Sequence, residues 1–226
     1  KRFEIIIVDN GSTDLTKQIS EDFIQHFPGF KIRYFYEAIP GLLSGRHRGV
    51  QEAKGEIYTF IDDDVEVSDN WLDTILNIME TDQKVDLLTG PCLPKYEIDP
   101  PEWLNSFWIK NEYGLHCGWL SLLDFGDEEK EIDPIFVWGL NFTIRKSVFE
   151  RLKGFHPDII PPKLQMFQGD GETGLSLKAK ESGYKAWYHP QVKLKHLVPE
   201  SRLSMDYFKQ RAYSQGISNS YTDIRK

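Results

Sequence analysis

A mostly parallel central sheet flanked by helices, an α/β fold, is what this sequence predicts, and three observations predict it. Residues 3–8 form a continuous apolar, β-branched run; a helical stripe follows it directly; a second apolar run occupies residues 32–36. Strand, helix and strand in that order make a βαβ unit, and its crossover connection demands a parallel pair.

The first run ends in Asp9, Asn10, Gly11, Ser12, Thr13 and Asp14, which is turn and cap chemistry, so it reads as a buried strand. Leu15, Ile19, Phe23 and Phe27 then recur at fours up to Pro28-Gly29, the pattern of an amphipathic helix with that stripe on the sheet. Gly41 opens a second helical segment carrying Arg46, His47 and Arg48 and stopping near Lys54-Gly55. Residues 57–61 then read as a strand that runs into three aspartates. Asn70 is placed to cap a helix from Trp71 that carries Leu72, Ile75, Leu76 and Met79 inward, and residues 85–88 read as a further strand. From Pro91 to Pro134 periodicity is lost among prolines, tryptophans and the acidic run 127–131, which points to an irregular aromatic-rich insertion with the acidic run as a solvated loop. Strand character returns at 135–144. A helix through Val148, Phe149 and Leu152 ends at Gly154, another through Leu175, Leu177 and Ala179 is closed by Gly183, and a last strand spans 185–188. Residues 202–221 show helical spacing.

The chain's 226 residues, 40% of them hydrophobic and 13% aromatic, suit one domain with a sizeable core. A net charge of −8 argues against a protein held to nucleic acid by its overall field. Two cysteines are too few for a disulfide framework, which favours a reducing compartment, and no apolar run approaches the ~20 residues that span a bilayer.

The most informative feature is Asp62-Asp63-Asp64 after an apolar strand. Alternate strand residues face the same side about 7 Å apart, so Asp62 and Asp64 are expected to face together. Paired carboxylates repel unless a cation joins them, and hard oxygen ligands select Mg²⁺ or Mn²⁺; the alternative is a solvated turn. Asp9 lies at the same edge of the sheet and is either a hydrogen-bond acceptor for a ligand or part of an ordinary strand-to-helix turn. Arg46 either pairs with a phosphate or extends along the surface. Asp170 and Glu172 flank Gly171 at a helix entry, as cap and first-turn charge or as groups beside a ligand, and His196 is a packed residue or a metal ligand.

Four segments in one order resemble the family 2 glycosyltransferases, which have the GT-A (nucleotide-diphospho-sugar transferase) fold. They are residues 6–14, residues 41–49 with Arg46, residues 55–64 with the Asp-x-Asp motif, and residues 139–146 with Gly154-Phe155. Residues 175–184 with His196 resemble the family's closing section. The resemblance implies an inverting transfer from a nucleotide-diphosphate sugar, with UDP expected, to a hydroxyl of a saccharide or lipid-linked acceptor in cell-surface polysaccharide or glycolipid synthesis. It places Asp9, Asn10, Ser12, Arg46, Asp62 and Asp63 on the nucleotide, Asp64, Asp62 and His196 on Mg²⁺ or Mn²⁺, and Trp138, Gly139 and Asn141 at the acceptor. Residues 1–90 become the nucleotide-binding part of a single domain, 91–200 the acceptor and catalytic part, and 201–226 a C-terminal helix. An ungapped match anchored on Leu175 puts Glu172 at the catalytic-base position, whereas Asp170 requires a shift of two. The family's chains begin with a strand and helix that precede residue 3, so the sequence is expected to be a fragment.

Two other classes compete. A nucleotidyltransferase needs a glycine-rich phosphate loop, and none is present; a glycan- or nucleotide-binding module without turnover would keep the fold. Trp103, Trp108, Trp119 and Trp138 either stack on sugars or form a private core. The last helix, with Arg202, Lys209 and Arg211 beside Met205, Tyr207 and Phe208, packs on its own domain or makes a peripheral contact with the cytoplasmic face of a membrane. The expected location is cytoplasmic.

Overall fold

The computed structural model describes residues 3–155 and 171–225. Its elements begin β1 (Ile5–Asp9), α1 (Thr16–His26), β2 (Ile32–Tyr36), α2 (Leu42–Glu52) and β3 (Ile57–Phe60). There follow β4 (Val65–Val67), α3 (Trp71–Thr81), β5 (Leu87–Thr89), β6 (Cys92–Tyr96), β7 (Ile109–Lys110), β8 (Leu115–Cys117), β9 (Leu122–Asp124) and β10 (Lys130–Ile132). The chain continues with β11 (Phe142–Arg145), α4 (Lys146–Arg151), α5 (Gly171–Glu181), β12 (Ala186–Tyr188), β13 (Leu194–Val198) and α6 (Met205–Arg225).

The α/β layering stands, but the sheet is mixed rather than mostly parallel. β1 with β2, β12 with β5 and β13 with β6 run parallel, while β11 enters antiparallel between β3 and β5. The strand orders are β1-β2, then β10-β12-β5-β11-β3, then β4-β13-β6-β9-β8-β7. Antiparallel pairs need only short connections, and residues 91–134 supply them: β6 to β10 lie there, regular but two to five residues long, too brief for a periodicity to register. Residues 135–144 are not one strand. They fold as 3₁₀ turns Pro134–Phe136 and Gly139–Asn141 before β11, because Pro134 at the first turn position fixes φ and Asp133 accepts the Ile135 N–H.

The helix after β1 forms as predicted, with Asp14 accepting the N–H and hydroxyl of Thr16, but its predicted face is overturned. Leu15 and Ile19 are 64% and 63% exposed, and Phe23 and Phe27 are exposed too. The side that is covered carries Ser20 and Ile24, since a two-stranded sheet can cover only one narrow strip of the helix. Asn70 precedes α3 without a side-chain cap bond; Ser68 supplies the carbonyl that accepts the Trp71 N–H. Trp71, Ile75 and Met79 are buried as the spacing requires.

The main core lies between β3, β5, β11 and β12 and the helices α4 and α5. A second cluster gathers Trp103, Phe107, Trp108 and Trp119 around Leu104, Leu122 and Phe208, so three of the tryptophans serve a private core. Phe208 stacks edge-on at 4.6 Å from Phe107, which packs the start of α6 inward, while Met205 and Tyr213 remain exposed. Among the described residues no helix is long and apolar enough to cross a membrane.

The strands β5 and β12, paired parallel, continue into β6 and β13, also paired parallel, so one double ribbon passes from the second sheet into the third. Gly90 sits at that passage: a Cβ there would lie 2.1 Å from the Val192 carbonyl oxygen and 2.6 Å from that of His189. Backbone cannot step aside as a side-chain tip can. Gly90→Ala is expected to cost about 3 kcal/mol, the upper end of overpacking costs, measured as a lower urea midpoint at unchanged slope.

Candidate active site

Asp62, Asp63 and Asp64 leave β3 in a turn rather than on a strand, so the expected common face is not formed. Asp62 turns to Arg46, Asp63 is exposed, and Asp64 turns to β13. The β4–β13 ladder fixes this: His196 is registered with Val65, and the Leu197 N–H donates to the Asp64 carbonyl at 2.8 Å. His196 is thereby brought beside Asp64, with Nε2 3.2 Å from Oδ2. It was not legible as a strand residue, although Val192, Leu194, His196 and Val198 alternate with Lys193, Lys195 and Leu197, a period-two signal.

Arg46 projects from α2 and is buried, its side chain only 6% exposed. Its Nη1 donates to Glu172 Oε2 at 2.6 Å and its Nη2 to Asp62 Oδ1 at 3.2 Å. Burial disfavours the guanidinium charge, but Glu172 and Asp62 outweigh it and hold the Arg46 pKa above the ordinary arginine value. Burial also pushes the Asp62 carboxyl up, against the pull of Arg46. Two glycines permit this junction. A Cβ on Gly139 would lie 2.1 Å from Arg46 Nη2, and one on Gly171 would lie 1.9 Å from Leu43 Cδ2, so Gly171 lets α5 start against α2 and deliver Glu172. Phe155 backs the guanidinium at 5.9 Å. Arg46 is therefore no surface snorkel. Asp170 lies outside the described residues.

Asp9 is buried at the end of β1 with one bond on each oxygen: Oδ1 accepts the Ser12 N–H at 2.8 Å and Oδ2 accepts the Tyr34 hydroxyl at 2.6 Å. The Tyr34 bond holds the Asp9 carboxyl below the usual carboxylate range, and burial with the same bond pushes the Tyr34 hydroxyl up to about 12. Tyr34 carries no local motif, so sequence reasoning missed it. Because Asp9 ionises at lower pH folded than unfolded, the bond stabilises above the unfolded value of about 3.9 and its contribution is lost as pH falls. Tyr34→Phe is expected to cost about 1.5 kcal/mol at pH 7, a gap that narrows below pH 4 in urea titrations. Asn10 fastens the loop to α2: its amide donates to the carbonyls of Glu37 and Ile39, and its Oδ1 accepts the Gly41 N–H at 2.7 Å. Ser12 is exposed beside it.

The acceptor triplet separates. Asn141 is fully buried: its amide donates to Val192 O at 2.8 Å and Gly90 O at 3.4 Å, and its Oδ1 accepts from Trp71 Nε1 at 3.1 Å. It clasps the ribbon where the sheets join and has no face for an acceptor, which corrects the expectation for that residue. Gly139 lies beneath Arg46, and Trp138 is half-buried beside His116 and Phe136 with its Nε1 donating to the Ile135 carbonyl.

Arg202, which the sequence left on the last helix, belongs here. It closes the 3₁₀ turn Glu200–Arg202 and lies 3.0 Å from Asp64 Oδ2 and 2.9 Å from His196 Nε2. The site thus holds two cation–carboxylate groups, Arg46 with Asp62 and Glu172, and Arg202 with Asp64. Among the described residues no cluster of three or more His, Cys, Asp or Glu is placed to hold a metal ion alone.

The family model for glycosyl transferase family 2 matches residues 1–153, more than half of the chain. The chain belongs to this family. Similar proteins include the glucosyl-dolichyl phosphate glucuronosyltransferase of Haloferax volcanii, 21% identical over 98% of this chain and 67% of the relative. Among solved structures, mannosyltransferase PcManGT from Pyrobaculum calidifontis, in complex with GDP-Man and Mn²⁺, matches 99% of this chain and 55% of its own at 20% identity and a TM-score of 0.65. GalNAc-T7 with UDP, GalNAc and Mn²⁺ matches 86% of this chain and 38% of its own at 18% identity and a TM-score of 0.59. These likenesses establish the GT-A glycosyltransferase fold for this family 2 domain, and the chain spans between about a third and two thirds of the length of these three proteins.

Proposed function

We propose that this family 2 domain binds a nucleotide-diphosphate sugar, with UDP as the nucleotide, together with Mg²⁺ or Mn²⁺, and transfers the sugar with inversion to a hydroxyl of a saccharide or lipid-linked acceptor. The observation that carries this is Arg46, which bonds both Asp62 at the end of β3, 16 positions on in sequence, and Glu172 at the start of α5, 126 positions on. Donor-side and acceptor-side carboxylates are thereby held in one site.

The donor chemistry fits a divalent cation. Asp64 Oδ2 and His196 Nε2 converge within 3.2 Å, and His196 Nδ1 lies 2.9 Å from the Leu120 carbonyl. A carbonyl only accepts, so Nδ1 carries the hydrogen, and with Arg202 donating to Nε2 that nitrogen presents its lone pair beside Asp64. Asp64 and His196 would hold the ion, with Asp62 nearby, and substrate phosphates would complete its shell. When bound it supplies positive charge against the diphosphate. The solved neighbours holding Mn²⁺ beside a nucleotide sugar or nucleotide support this reading, as does the relative named for a dolichyl phosphate-linked glucose for a lipid-linked acceptor.

Asp9 and Asp62, with Asn10, Ser12 and Asp63 on the same loops, bind and orient the nucleotide. Glu172 Oε2 is held by Arg46, and Oε1 makes no hydrogen bond among the described residues. Oε1 takes the proton of the acceptor hydroxyl as that oxygen attacks the anomeric carbon from the face opposite the diphosphate. The glycosidic bond to the diphosphate breaks as the new bond forms, which inverts the centre. Trp138 beside the junction offers a ring for the acceptor.

Thermal shift against UDP, GDP, CDP and dTDP, each with and without Mn²⁺, tests the donor reading. A ligand at about 100 times its dissociation constant stabilises by about 2.7 kcal/mol, so a metal-dependent rise in Tm with UDP is the expected outcome. A rise with GDP instead changes the nucleotide, and no rise with any of the four removes the donor site.

A further inference from the structure

We propose that Arg202 is a resident cation of the Asp64–His196 pair, which a divalent metal must displace and which a nucleotide diphosphate then takes over. The inference rests on the metal reading above and adds to it a competitor built into the chain.

The contacts require a cation or donor at this point. Guanidinium groups donate and never accept, so the 2.9 Å approach of Arg202 Nη1 to His196 Nε2 needs a lone pair on that nitrogen. The Leu120 carbonyl at Nδ1 makes the same demand from the other side of the ring. Nε2 and Asp64 Oδ2 are then two lone-pair groups 3.2 Å apart, brought together by the β4–β13 ladder, and a cation or donor beside them offsets their repulsion. Arg202 answers both, with one nitrogen on each. A metal ion on the same pair would stand against the guanidinium, and like charges at contact distance in a partly dry site repel strongly.

Arg202 is also the arginine of the site that is free to leave. Its side chain is 33% exposed and comes from a single 3₁₀ turn, whereas the Arg46 side chain is 6% exposed, covered by Gly139 and held by two carboxylates. Displaced from Asp64, the Arg202 fork is suited to a diphosphate, which it can grip with paired hydrogen bonds. Metal without nucleotide must strand this charge. Metal with nucleotide gives it a new partner, so the two ligands bind with positive coupling, and by linkage each strengthens the other equally.

Mn²⁺ binding to the full chain, read by the electron paramagnetic resonance of free Mn²⁺ with and without UDP, tests this. Arg202→Gln is expected to tighten nucleotide-free Mn²⁺ binding about tenfold and to shrink the gain that UDP brings, within the usual range of such couplings. Arg202→Lys keeps a cation at the turn and is expected to stay near the unsubstituted chain. Asp64→Asn is expected to bind Mn²⁺ in neither state. If Arg202→Gln binds nucleotide-free Mn²⁺ no more tightly while the unsubstituted chain binds it with UDP, Arg202 is not the competitor and the metal reading survives. If the unsubstituted chain takes up no Mn²⁺ with UDP or GDP, or Asp64→Asn retains it, both the metal reading and the role of Arg202 are overturned.

Discussion

Glu172→Gln will slow sugar transfer by about 10²–10⁴-fold while nucleotide binding persists, because the amide keeps the shape and an acceptor oxygen for Arg46 but cannot take a proton. Transfer measured as release of nucleotide diphosphate, beside nucleotide affinity from the same thermal shifts, separates chemistry from binding. Asp170→Asn in the same assay decides between the two carboxylates. Loss of transfer in Asp170→Asn with Glu172→Gln active would move the base two residues upstream, and Glu172 would then serve only as the partner of Arg46. Equal activity in both variants would remove the general-base step.

Arg46→Leu will lower stability by about 3 kcal/mol, since it strands two carboxylates that converge on one buried cation. That figure is at the low end for a broken buried ion pair, because the side chains of Asp62 and Glu172 are 34% and 22% exposed and keep some water. For a domain of this size the loss corresponds to a fall in Tm of roughly 6–12 °C. Nucleotide binding will weaken as well, because Asp62 loses the group that orients it. Arg46→Lys restores one charge without the fork and should recover part of the stability and little of the geometry. An unchanged Tm in Arg46→Leu would mean that the two carboxylates find other partners.

The fold was legible wherever the signal is local. The apolar run of β1, the turn chemistry from Asp9 to Asp14, the helical period of α3 and the aspartates after β3 are each readable within a dozen residues, and each element is where that reading put it. Short strands were not. β4, β7 and β8 have two or three residues each, and whether such a segment pairs is decided by a partner tens of residues away. The site divides along the same line. Asp62 and Asp64 were nameable as polar residues at the right end of an apolar run and His196 as an isolated histidine after a turn, but Asn141 looks the same in sequence whether its amide faces a ligand or clasps Gly90 and Val192.

Periodicity and turn chemistry, which act between near neighbours, thus determined that this is an α/β chain with carboxylates gathered at the end of a strand, and the ordered motifs carried the family. The tertiary structure alone decided which face of α1 is covered, that Arg46 is buried between Asp62 and Glu172, and that Arg202 stands on Asp64 and His196. The last two outcomes depend on contacts between residues 16, 126, 6 and 138 positions apart, whose cost in desolvation and gain in pairing exist only once the sheets have brought them together.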